Sequence, residues 1–80
     1  MDDELREELQ ILNSYCEELK NALATNKTIS LYRLLMIADH LTLCDHLINF
    51  RFERAIVNLT SFYWEKCANQ WLKQKIDREK

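Results

Sequence analysis

One stretch of this chain holds the residue types that metal and nucleophile chemistry require: His40, Cys44, Asp45 and His46. His40 and Cys44 stand four residues apart, the spacing that sets two ligands on one face of a helix. His46 points to another side of the same helix, and a tetrahedral site would need Cys16 or Cys67 from elsewhere in the chain. The paired short spacings of zinc modules are missing. Packing beside a core stripe accounts for Cys44, and a hydrogen-bonded strip accounts for the rest, so no metal and no cofactor is expected. No activating spacing of nucleophile and base and no oxyanion cradle is legible, which argues against an enzyme.

Aromatic side chains form the second concentration, with Phe62, Tyr63, Trp64 and Trp71 inside ten residues. Successive residues on a helix turn by about 100°, so three in a row cannot share a face and one of them is expected to look outward. Core packing is the default for most of them, and Trp64 and Trp71 are next the candidates for a protein interface, where indoles often anchor binding. The basic residues of the C-terminal half, Arg51, Arg54, Lys66, Lys73, Lys75 and Arg78, are the candidates for phosphate contacts. Interleaved acids dilute that patch, and cations near a helix C-terminus also suit the helix dipole, so a nucleic-acid-associated regulator is the alternative rather than the main reading.

The elements that must position these residues are helices. Among 80 residues there is no glycine and no proline, where average usage would supply roughly nine or ten of the two. Phosphate loops, dinucleotide fingerprints, nucleophile elbows and EF-hand loops all need glycine and are excluded. No hairpin turn signal separates alternating runs, so the chain reads as all-α, a single domain over 1–80.

Leu5, Leu9, Leu12, Cys16, Leu19 and Leu23 recur at spacings of 4, 3, 4, 3 and 4, which is a heptad seam. Asp2 and Asp3 precede it and suit the positive end of a helix; Ile11, Tyr15 and Ala22 widen the stripe for a bundle. The first helix is placed at 3–24. Thr25-Asn26-Lys27-Thr28 then ends it, with Asn26 as the left-handed residue and Thr28 or Ser30 as the next N-cap.

From Ile29 two apolar stripes run together. Leu34, Ile37, Leu41, Ile48, Phe52, Ala55 and Leu59 share one side, while Met36, Leu43, Leu47 and Phe50 share another. The first stripe argues against a break at Asn49. Beyond Leu59 the phase moves to Trp64, Cys67, Ala68 and Trp71, and one helix over 29–77 would be about 73 Å long. A turn near Asn58 to Ser61 resolves both features, giving helices at 29–58 and 61–77; a two-helix hairpin with one very long second helix is the alternative.

Charge is distributed unevenly. Residues 1–24 hold seven acids against two bases, net −5, and residues 25–80 hold nine bases against six acids, net +3, so an acidic first helix is expected to lie on a more basic remainder. The acidic opening lacks the basic and apolar parts of a signal peptide, the longest apolar run is Leu34 to Ala38, and three cysteines is an odd count. An intracellular, cytoplasmic protein with reduced thiols and no membrane contact is the expectation, and Asn26-Lys27-Thr28 and Asn58-Leu59-Thr60 then match the glycosylation triplet by chance. A small bundle gains most by burying a second face in a partner. The functional expectation is therefore a protein–protein interaction module, a regulatory or adaptor protein that forms a homodimer or higher homo-oligomer through Met36, Leu43, Leu47 and Phe50 with Trp64 and Trp71.

Overall fold

The computed structural model describes the backbone of residues 3–48 and 51–79, and the side chains of all of these except 51–53 and 79. Three helices account for it: α1 (Asp3–Ala24), α2 (Leu31–Leu47) and α3 (Arg51–Glu79), with no strand among the described residues.

The end of α1 is set locally. Asn26 takes φ of 56°, and the amides of Asn26 and Lys27 reach back to the carbonyls of Leu23 and Ala22 at 3.3 and 2.8 Å. That pair of bonds closes the helix as a Schellman motif, with asparagine in the left-handed place that glycine usually holds. Ser30 caps α2, its Oγ accepting from the Arg33 amide at 3.2 Å.

Contacts between helices give their directions. Glu8 meets His40 while Glu18 meets Arg33, so α1 and α2 run antiparallel. Asp45 meets Arg54 while Trp64 meets Leu34, so α2 and α3 do too. Cys67 lies on Leu19 and Gln70 on Asn26, so α1 and α3 are parallel. The result is an up-down-up bundle 50 Å long.

Its core has two parts. Leu5, Leu12, Cys44, Ile48 and Val57 fill one. Leu19, Leu34, Ile37 and Cys67 fill the other, with Tyr63, Trp64 and Trp71 packed on them, and Leu41 touches both. Of the α1 seam Leu5, Leu12, Cys16 and Leu19 are buried and Leu9 and Leu23 half-buried, while Ile11, expected to widen the stripe, stays 42% exposed.

The second turn lies ten residues earlier than the stripe pattern implies. Backbone leaves α2 at Ile48, whose φ and ψ of −90° and 123° are extended, and residues 58–61 lie in the middle of α3. Of the stripe that was expected to continue, Ala55 is exposed and Leu59 is 43% exposed, while Val57 and Thr60 point inward; Phe52 and Asn49 lie outside the described side chains. Thr60 explains why a cap-type residue does not end the helix. Its hydroxyl donates to the Ile56 carbonyl at 2.7 Å, so a fully buried polar group is satisfied by its own helix.

A bidentate pair ties α2 to α1: Arg33 Nε and Nη2 each donate to a Glu18 oxygen at 2.8 Å, and the guanidinium lies 5.0 Å from the Tyr15 ring centre. Those bonds hold the Glu18 carboxyl below its ordinary value, outweighing partial burial, which pushes it up. A depressed carboxylate pKa stabilises the fold above the ordinary glutamate value of 4.5 and loses that contribution as pH falls through the lower folded-state value. Both side chains are more than a third exposed, so the loss is expected to be at most about 1 kcal/mol. Melting temperatures of the parent and Glu18→Gln should therefore differ at neutral pH and converge as the pH falls below 4.5 and through the lowered folded-state value. Parallel profiles would show that the pair adds nothing.

Candidate functional site

The cluster around His40 is divided among three directions. His40 and Cys44 face α1 and converge on one group, the backbone carbonyl of Glu8: His40 Nε2 lies 3.0 Å from it and Cys44 Sγ donates at 3.8 Å. A carbonyl only accepts, so Nε2 carries the proton of that ring. The Glu8 carboxylate is 3.4 Å from the same nitrogen, and the ring meets Tyr15 edge-on at 5.4 Å. Asp45 turns the other way to pair with Arg54 at 2.6 Å, and His46 is exposed. Among the described residues no group of three or more histidines, cysteines or carboxylates is placed to hold a metal ion.

Cys16, Cys44 and Cys67 are free thiols, each 1% exposed or less. Burial, and secondarily the charge of Glu8, pushes the Cys44 thiol from the ordinary 9.0 up to about 11, and burial raises Cys67 as well. Their burial makes all three packing groups of the bundle interior. At about pH 8 the shift alone lowers the Cys44 thiolate fraction by about a hundredfold. Alkylation followed by mass spectrometry should find three reactive thiols in denatured protein and almost none in folded protein. Folded-state labelling at free-thiol rates would contradict the packing.

The expected interface stripe on α2 is only partly outward. Leu43 is 43% exposed and Met36 is half-buried, but Leu47 packs on the Leu5 and Leu12 core; Phe50 lies outside the described residues. The reason is that α1 lies along the edge of this stripe, on the same side as His40. Trp64 and Trp71 are half-buried in the second core. The Trp64 indole donates to the Leu34 carbonyl at 2.7 Å, and Lys75 Nζ lies 5.1 Å from the Trp71 ring centre. Of the three consecutive aromatics, Phe62 is the one that faces out, 51% exposed.

Among the described side chains, the candidate phosphate-binding residues do not share a surface. Arg54 is paired with Asp45, Lys66 lies over Phe62, and Lys66 and Lys73 sit on the outer side of α3. Lys75 and Arg78 instead line a hollow of about 460 Å³ between the start of α2 and the end of α3, together with Thr28, Ser30 and Trp71. The Arg51 side chain lies outside the described ones.

What the spacing did not reveal is the apolar surface that remains. On α2, Tyr32 is 74% and Leu35 53% exposed; on α3, Leu59, Phe62, Leu72 and Ile76 are all exposed. A wheel anchored on Val57, Cys67 and Trp71 puts the α3 group on the far side, but the expected turn at 58–61 cut that wheel in two. No helix is long and apolar enough to cross a membrane among the described residues.

The fold and its surfaces define a three-helix, all-α protein. No protein-family model matches the chain, nor does any curated protein or solved structure.

Proposed function

We propose that this chain is a non-catalytic interaction module that works by packing its helix faces against protein, a second copy of itself included. The observation that supports the reading is the apolar surface left outside: among the described residues, nine large hydrophobic side chains stay between 42% and 74% exposed. Tyr32, Leu35 and Leu43 form one such group along α2, beside Met36. Contiguous apolar surface on a small helical protein is the usual mark of a contact site. A phosphate-binding reading draws less support, because the bases are spread over different sides of α3.

Sedimentation equilibrium over a range of concentrations tests the proposal, with extract capture for a second protein. A mass that rises with concentration, or a captured protein released by Leu35→Lys with Leu43→Lys, agrees with it. Helix packing should also hold or tighten as salt is added, whereas phosphate binding weakens steeply. A chain that stays monomeric and captures no protein overturns the proposal.

A further inference from the structure

Where α2 begins and α3 ends, their antiparallel packing leaves the hollow of about 460 Å³. Small-molecule sites span about 300 to 1,000 Å³, so a compact ligand fits it. One wall belongs to α3, where Trp71, Lys75 and Arg78 follow at spacings of four and three and so share one face of the helix. The other wall is the segment leading into α2, with the hydroxyls of Thr28 and Ser30 and the apolar side chain of Leu31. Lys75 Nζ stands 5.1 Å from the Trp71 ring centre, which places the ammonium over the half-buried indole. Two cations therefore enter one concavity. Arg33 and Arg54 each have a carboxylate partner, whereas Lys75 and Arg78 have none among the described side chains, and no described carboxylate lines the hollow.

We infer that this hollow binds a small-molecule phosphomonoester, its phosphate group held between Lys75 and Arg78. Charge selects the class. A phosphomonoester carries about −1.5 to −2 at pH 7 and so balances both cations, whereas a single carboxylate leaves one of them uncompensated. The guanidinium offers a planar fork to two phosphate oxygens, and the ammonium acts as a point charge beside them. Thr28 and Ser30 supply hydroxyl donors from the facing wall. Ser30 Oγ already accepts from the Arg33 amide at 3.2 Å, which leaves its own proton to donate. Trp71 and Leu31 add apolar surface next to the cations, which suits a phosphate borne on a flat ring system, as in a nucleoside monophosphate. A nucleic acid needs bases spread along one surface; a single phosphate needs only these two. The proposal goes beyond the interaction-module reading and does not depend on it, because the hollow is complete within one chain.

Heteronuclear NMR titrations of the full chain with inorganic phosphate, adenosine monophosphate and adenosine test this. Ionic strength is held at about 0.1 M, where charges more than about 10 Å away are screened. The two indole N–H signals locate binding, since Trp71 lines the hollow and Trp64 bonds the Leu34 carbonyl. Phosphate and the monophosphate are expected to shift the Trp71 signal to saturation with a dissociation constant of about 1 mM or tighter, and adenosine to bind at least about tenfold more weakly than the monophosphate. A monophosphate tighter than inorganic phosphate shows the ring resting on Trp71 and Leu31; equal affinities show that the phosphate alone is read, and both support the proposal. Lys75→Gln with Arg78→Gln should weaken binding about tenfold or more with an unchanged melt, because both side chains are exposed. Lys66→Gln with Lys73→Gln removes the same charge from the outer side of α3 and should change affinity by no more than about twofold. The proposal is overturned by an absence of saturable shifts up to about 20 mM of either phosphate probe. A Lys75 and Arg78 variant that binds like the parent, an equal loss in the Lys66 and Lys73 variant, or adenosine as tight as the monophosphate overturns it too. Each of these results leaves the interaction-module reading where sedimentation and capture put it.

Discussion

Leu12→Asp is expected to abolish cooperative melting. Leu12 is fully buried, in the cluster where α1 meets Cys44 and Ile48 of the second segment and Val57 of α3. A carboxylate there has no cation within the cluster, and an unpaired buried charge costs several kcal/mol even after relaxation. Total stability of a small domain is on the order of 5 to 15 kcal/mol, so one such change removes much of it. The neighbouring position supplies the control. Ile11 is 42% exposed, and Ile11→Asp should shift stability by no more than about 0.5 kcal/mol. Circular dichroism melts of the two variants read the contrast directly; a parent-like melt for Leu12→Asp would mean that α1 does not pack as described.

Trp64→Ala carries the second large effect, about 3 to 5 kcal/mol, the range for truncating a packed large aromatic. The indole fills the second core beside Leu34, Ile37 and Cys67, and its Nε1 bonds the Leu34 carbonyl across to α2. Trp64→Phe should cost less, because the ring remains and mainly the hydrogen bond, about 1 kcal/mol, is lost. This position also separates two roles that tryptophan often plays. A core residue shows its loss in the melting of dilute protein, whereas an interface anchor shows it in association constants with dilute melting unchanged. Melting of dilute Trp64→Ala at the parent temperature would return Trp64 to the interface.

Both experiments address residues whose roles were legible to different degrees. Leu12 was placed by spacing alone, because a seam of six residues at 3 and 4 has one solution on a helix. The aromatic run marks Trp64, but whether it faces α2 or a partner depends on where the preceding helix ends. The spacing of four puts His40 and Cys44 on one face; that this face meets the Glu8 carbonyl requires α1 to be in place.

Local chemistry in the sequence determined the helical class, the C-terminal end of α1 and Asn26 as the left-handed residue, and narrowed the cap of α2 to Thr28 or Ser30, of which the structure uses Ser30. Each of these follows from interactions spanning about one helical turn, which neighbouring residues carry entirely. At the end of α2 the local signal is only the cap-type Asn49, and the stripe outweighs it, since Phe52, Ala55 and Leu59 keep the phase of Ile48 and imitate an unbroken helix. Only the closed bundle decides where α2 ends. A chain that leaves α2 at Ile48 brings Val57 to Leu5 and Leu12 and carries Trp64 back to Leu34, and burial of those side chains outweighs the continuity that a longer α2 would have kept. The same closure turns Leu59 and Phe62 outward, so the apolar surface left on α3 is a product of tertiary packing and not of local pattern.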